Sequence, residues 1–241
     1  MNKKTSMRLF YVILLLGVIS CNTFIKKNQM SEMNIDSMAY KQIENTTEFW
    51  EFARFILKYP ESEFFYPALQ RYHLVRNAYY DSVGMPIIDC FRNCASIQIK
   101  ANQKIVFEGE QIELKDLHDS LLVFFCNADY CEFKPEIKYV DDVYGNPQEI
   151  SKGNIQLEYI NDSFTVLQTV VKEIRNSIRS YKNYLAQKWY KKKLEELVLE
   201  EEKHLDSLFY YRLMLFGWDE EYIVPPLPPP PIVNESSITL K

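Results

Sequence analysis

The chain has 241 residues, 28 Lys+Arg against 33 Asp+Glu for a net charge of −5, and 47% hydrophobic residues, with 15 Phe and 17 Tyr. That is enough apolar and aromatic surface to bury a core in one or two domains. The acidic balance, without a dense Lys/Arg stripe, excludes nucleic acid and anionic lipid headgroups as expected partners, since both demand positive charge.

Residues 1–8 carry Lys3, Lys4 and Arg8 and no acid, and Leu9 to Ser20 then form an apolar run that ends in small residues. A charged start followed by a short apolar core is the pattern of a secretory signal. The run of about a dozen residues falls short of the roughly 20 that a helix needs to cross a bilayer. Val18, Ile19 and Ser20 ahead of Cys21 resemble the lipobox of bacterial lipoproteins, in which the signal is cut and the cysteine acylated. That resemblance implies a signal peptide over 1–20, lipidation of Cys21, a membrane contact through the lipid anchor, and a place in the cell envelope facing the periplasm. Cleavage there leaves 25 basic against 33 acidic residues, a net charge of −8.

Residues 21–42 are polar and weakly periodic, as expected of a tether or of a frayed first helix. Over 43–82 the spacing predicts a helical hairpin. Thr46 or Thr47 caps the first helix, whose face carries Phe49, Trp50, Ala53, Phe55, Ile56 and Leu57; Pro60 stops it and Ser62 starts the second. The string "TEFWEFARFILKYPESEFFYPALQRYHLVRNAYY" resembles one tetratricopeptide-like hairpin. A single copy buries little surface by itself, so a hairpin packed on the following domain is expected rather than a peptide-binding solenoid.

After Pro86 the period changes to two. Ile97, Ile99 and Ala101 alternate with polar residues, and "NQKIVFEGEQIEL" reads as two short strands around a Glu108-Gly109 turn. "LKDLHDSLLVFF" follows as a helix, "EIKYV" and "IQLEYI" as strands, and Asn161 or Asp162 as the cap of a long helix. Its stripe runs Val166, Val170, Ile174, Ile178, Tyr181, Leu185 and Trp189. The order predicts an α+β fold over 86–217: a small mixed sheet with helices on one face, then a long C-terminal helix. Residues 191–216 are expected to stay helical, with Lys191 to Lys193 on a solvated face and Gly217 as C-cap. The tail 218–241, with "VPPLPPPP", favours an extended polyproline rod that acts as a spacer or as a ligand for an aromatic groove.

The segment "ASIQIKANQKIVFEGEQIELKDLHDSLLVFF" is similar to the start of the periplasmic domain of ExbD/TolR-type biopolymer-transport proteins. The helix that follows "GNIQLEYI" resembles that of the longer ExbD variants at Gln168, Val171, Ile178, Arg179, Tyr181, Leu185 and Leu194. The likeness covers about residues 95–205 and implies association with envelope proteins or with itself, or with peptidoglycan. It departs from the family at one point that matters: those proteins hold an aspartate in a membrane helix, and the hydrophobic segment here contains no Asp or Glu. A proton-coupling step is therefore not carried over.

Cys90, Cys94, Cys126 and Cys131 form two close pairs. An oxidising compartment makes them disulfide candidates in any of three connectivities, with zinc or free buried thiols as the alternatives. His73, His118 and His204 lack metal-ligand spacing, Asp141-Asp142 precedes Tyr-Gly-Asn-Pro and reads as a turn, and no nucleophile or phosphate-loop motif occurs. No catalytic residue, metal or cofactor is expected. Two functions follow as expectations: a lipid-anchored envelope interaction protein, which fits a dimer through a strand edge, or a periplasmic solute- or peptidoglycan-binding lipoprotein, which fits an aromatic pocket.

Overall fold

Phe49, Phe52, Ala53 and Ile56 recur at helical spacing, and all four are buried on one face of helix α2 (Phe49–Lys58). The computed structural model describes residues 35–84, 91–127, 132, 134–160, 164–209 and 212–218. Residues 21–34 lie outside the described residues; ahead of α2, residues 35–43 are helical (α1), which over these residues is the first helix offered as the alternative to a tether. The reason is aromatic: Tyr40 stacks on Phe64 at 4.9 Å and meets Phe55 edge-on at 5.6 Å. Thr46 Oγ1 accepts from the N–H of Glu48 just before α2, and Ser62 Oγ accepts from Phe64 N before α3 (Phe65–Val83). Pro67 falls in the first turn of α3, where a missing N–H costs nothing.

The main sheet has the order β3-β2-β1-β6-β7. Strand β1 (Cys94–Ile99) pairs antiparallel with β2 (Ile105–Phe107), which pairs antiparallel with β3 (Glu110–Ile112). Glu108 and Gly109, at φ 51° and 85°, make the two-residue turn between them; positive φ at both positions is the hairpin geometry that the right-handed twist of strands prefers. Helix α4 (Leu114–Cys126) then leads away, and a separate hairpin of β4 (Ile137–Asp141) and β5 (Pro147–Ser151) stands apart from the main sheet. Strand β6 (Asn154–Ile160) returns parallel to β1, α5 (Phe164–Tyr190) follows, and β7 (Leu213–Trp218) adds parallel to β6 at the edge.

One face of this sheet is apolar and the other polar. Ala95, Ile97, Ile99, Ile155, Leu157 and Tyr159 are buried, whereas Gln98 and Gln156 on the opposite face both donate to Glu158. The fold is thus mixed α+β, as the order of elements predicts. Every residue of the predicted α5 stripe from Val170 to Trp189 is buried, and Phe125 of α4 stacks on Tyr181 at 5.3 Å. The cap expected at Asn161 or Asp162 lies outside the described residues, as does the Pro-rich tail beyond Trp218.

The segment after α5 differs from the expected continuous helix. Lys191 at φ 59° ends α5, so Lys191 to Lys193 form a connection instead of a helix face. A short 3₁₀ turn (Leu194–Glu196) and α6 (Leu199–Ser207) follow, and "LMLFGW" is strand β7, with Gly217 inside it and not at a C-cap. An apolar run of six carries no period of its own, and the unpaired edge of β6 decides its state.

The helical hairpin belongs to the same core. Tyr72 Oη of α3 accepts from Leu215 N at 3.1 Å, and the Arg76 guanidinium donates to Leu215 O, so two side chains cap the outer backbone of the β7 edge. Gly153, entering β6, sits where an added Cβ would come within 2.9 Å of Phe124 Cε1 and 3.1 Å of Phe125 Cδ1. Gly153→Ala is expected to force the end of α4 outward and cost about 1–3 kcal/mol, read as a lowered urea midpoint with an unchanged slope.

Candidate functional site

Among the described residues, a wide concavity lies where the N-terminal helices meet the second half of the chain. It holds about 640 Å³; α1 and α2 supply one side, and α5, α6 and Phe209 the other. Its existence follows from how the helices rest on one another. The aromatic contacts of Tyr40 pull α1 onto α2 and α3, α2 packs on α5, and Leu205 anchors α6 in the core, which leaves a gap between α1 and α6.

The part-exposed Ala39, Ile43 and Leu57 give the cleft apolar surface, over the buried Phe55, Ile178 and Phe209. Between them stand Arg54, Lys58, Arg175, Lys182 and Lys203 against two acids, Glu51 and Asp206. Both acids are engaged: Glu51 pairs with Arg54, and Asp206 accepts from Lys182 Nζ at 2.6 Å. Lys182 also lies 5.1 Å from the centre of the Phe209 ring. Arg175 donates to Lys58 O near the end of α2, and Lys58 lies over the Tyr59 ring. Among the described residues Lys58, Arg175 and Lys203 enter no ion pair. The lining carries a net charge of +3 on a chain of −5. Cationic and apolar groups thus stand side by side in one lining, a combination suited to anions that carry apolar groups.

The residues singled out in the sequence lie elsewhere. Cys21, Cys90 and Cys131 fall outside the described residues. Cys94, the first residue of β1, is disulfide-bonded. Cys126 departs from the disulfide expectation and carries a free thiol. It ends α4 beside Tyr181 and Tyr184 of α5, so the cysteine faces a helix, and burial raises its thiol above the ordinary range. Asp142 does close a turn: it accepts from Tyr144 N and from the backbone and side chain of Asn146. Burial would raise its carboxyl, but these donors outweigh that and hold it below the usual range.

The histidines take three different positions. His118 bonds Asp119 and Ser180 near the surface, His204 sits beside Trp189, and His73 Nε2 lies 2.5 Å from Tyr159 Oη under the hairpin. Burial and then the Arg76 charge lower His73 to about 4. Among the described residues no three His, Cys, Asp or Glu side chains are grouped to hold a metal ion.

A polar junction escaped the sequence altogether. Glu201, 1% exposed, accepts from Lys192 Nζ, Tyr144 Oη and Val198 N, tying the β4–β5 turn to the start of α6. Desolvation would raise its carboxyl, yet these three partners keep it below the ordinary range. The cleft cations were equally hidden, because they come from three segments far apart in the chain; the one local signal is the Arg54/Lys58 spacing of four on a helix. No protein-family model, curated protein or solved structure matches this chain.

Proposed function

We propose that this chain is a lipid-anchored cell-envelope interaction protein, held by an acylated Cys21 and facing the periplasm, with the cleft as its working surface. Support for the anchor comes from the charged start, the short apolar run and the lipobox-like residues before Cys21. No helix among the described residues is long and apolar enough to cross a membrane. Helix α1 is under way by residue 35, so the cleft it lines would sit within about 45–50 Å of the lipid even with the intervening chain fully extended.

Kinship with the periplasmic domain of ExbD/TolR-type proteins draws support from β1, β2, β3 and α4, followed after the β4–β5 hairpin by β6 and α5, with the Glu108-Gly109 turn between β2 and β3. Without a membrane carboxylate, such a relative serves as a passive, tethered partner and not as a motor. Self-association through strand edges is narrowed in the main sheet, since Tyr72 and Arg76 cap β7 at Leu215; among the described residues the short, exposed β3 and the outer edges of the β4–β5 hairpin stay open. Solute or peptidoglycan binding is the second reading, and it is favoured by the apolar and cationic lining of the same cleft.

The observation that carries the interaction role is that open, net-cationic cleft, lined on one side by α1. The mass of the mature N-terminus isolated from membranes is expected to correspond to a chain that begins at an acylated Cys21, and Cys21→Ser to leave the signal uncut. An unmodified chain starting at Met1 would overturn the anchor. Cross-linking in membranes is expected to recover envelope proteins; recovery with purified peptidoglycan alone would favour the second reading.

A further inference from the structure

We infer that the cleft between α1–α2 and α5–α6 is a docking site for an acidic segment of a partner protein, bound in extended form with its carboxylates on the cleft cations. The inference rests on the proposed interaction role and names the chemistry of the partner.

Three features select this occupant. First, the charge is inverted locally: a lining of +3 on a chain of −5 attracts an anionic segment to the cleft. Second, the cations stand at two ends. Lys58 and Arg175 meet at one end, where Arg175 reaches the carbonyl of Lys58. Lys182 and Lys203 mark the other, Lys203 lying one helical turn from the Asp206 that Lys182 holds.

From Arg175 to Lys182 is two turns of α5, a rise of about 10 Å. A single phosphate or carboxylate cannot engage both ends, whereas acids two to four residues apart in an extended segment span roughly 7–13 Å. Third, the part-exposed Ala39, Ile43 and Leu57 add apolar surface to the same lining, over the buried Phe55, Ile178 and Phe209, and take the uncharged side chains of such a segment. The cations line a concavity and not a convex face, so a flat anionic bilayer does not enter among them.

The test titrates the full chain in neutral detergent with a short fluorescent peptide of alternating glutamate and valine, at low salt. The native chain is expected to bind it, to bind progressively less as salt rises, and to ignore the same peptide with glutamine for glutamate. The triple variant Lys58→Gln, Arg175→Gln, Lys203→Gln is expected to weaken binding by about tenfold or more. None of the three makes an ion pair among the described residues; the variant gives up the Arg175 bond to Lys58 O and the place of Lys58 over the Tyr59 ring, so a melting temperature within a few degrees of the native chain is expected. Equal affinity of the native and triple-variant chains overturns the inference, as does binding to phosphatidylglycerol vesicles with none to the peptide. Because the probe is free in solution, its failure leaves the mass measurement at Cys21 untouched, and the two proposals fail separately.

Discussion

Replacing Arg212 with methionine is expected to lower the unfolding free energy by about 3 kcal/mol. Arg212 is 5% exposed at the entrance to β7, and its guanidinium donates to the carbonyls of Ser151 and Gly153 while lying 5.0 Å from the centre of the Phe209 ring. Methionine fills much of the same volume but supplies no donor. Ser151 O and Gly153 O then lose charge-assisted bonds worth about 1.5–3 kcal/mol each, partly offset because a buried guanidinium no longer has to be desolvated. That desolvation is visible in the group itself, which burial lowers to about 10. For a domain of this size the loss corresponds to a fall in melting temperature of about 6–12 °C. Arg212→Lys is expected to fall between, since an ammonium is a point charge without the planar fork. A methionine variant that melts with the native chain would show that the β5–β6 turn and β7 are not held together through Arg212.

Acid is expected to destabilise the protein through His73. The imidazole lies between α3 and β6, bonded to Tyr159, with Tyr72 and Arg76 of its own helix beside it. Burial first, and the Arg76 charge second, lower it from 6.5 to about 4. Between those two values the unfolded chain carries a proton that the folded chain does not. Stability therefore falls as the pH drops through the window from about 6.5 to about 4, by up to about 3 kcal/mol in total, and His73 contributes no pH dependence above it. His73→Gln keeps a bonding group near Tyr159 and removes the titration. The native chain is expected to lose more stability than the variant over this window, and superimposable pH profiles from denaturant melts would refute the assignment. Protonation would place an imidazolium beside Arg76 under the hairpin, so the loss is expected to appear first as faster proteolysis of the α2–α3 region.

Local chemistry made much of the fold legible in advance. The α5 stripe could be read because a helix buried along one face repeats its apolar residues every three or four positions. The Glu108-Gly109 turn could be read because positive φ at both central positions favours glycine and few other residues. Asp142 closes its turn with donors no more than six residues away, all of them local. Strand β5, which begins at Pro147 and carries Gln148 and Glu149, has no such signature; its state comes from pairing with β4 residue by residue. The run ending in Leu213–Trp218 looked helical for a related reason: leucine and aromatic residues serve either state, and the free edge of β6 chooses the strand.

By itself, then, the chain determines its α+β order, the hairpin at its start and the signal-like run that ends at Cys21, because each depends on neighbours within a few turns. Tertiary structure alone decides the rest. It brings Arg54 and Lys58 of α2, Arg175 and Lys182 of α5 and Lys203 of α6 around one cleft, seals the β7 edge with Tyr72 and Arg76, and buries Glu201 against Lys192 and Tyr144. Charge and hydrogen bonding act through space, over separations of up to more than a hundred residues here, and periodicity in a sequence carries no record of them.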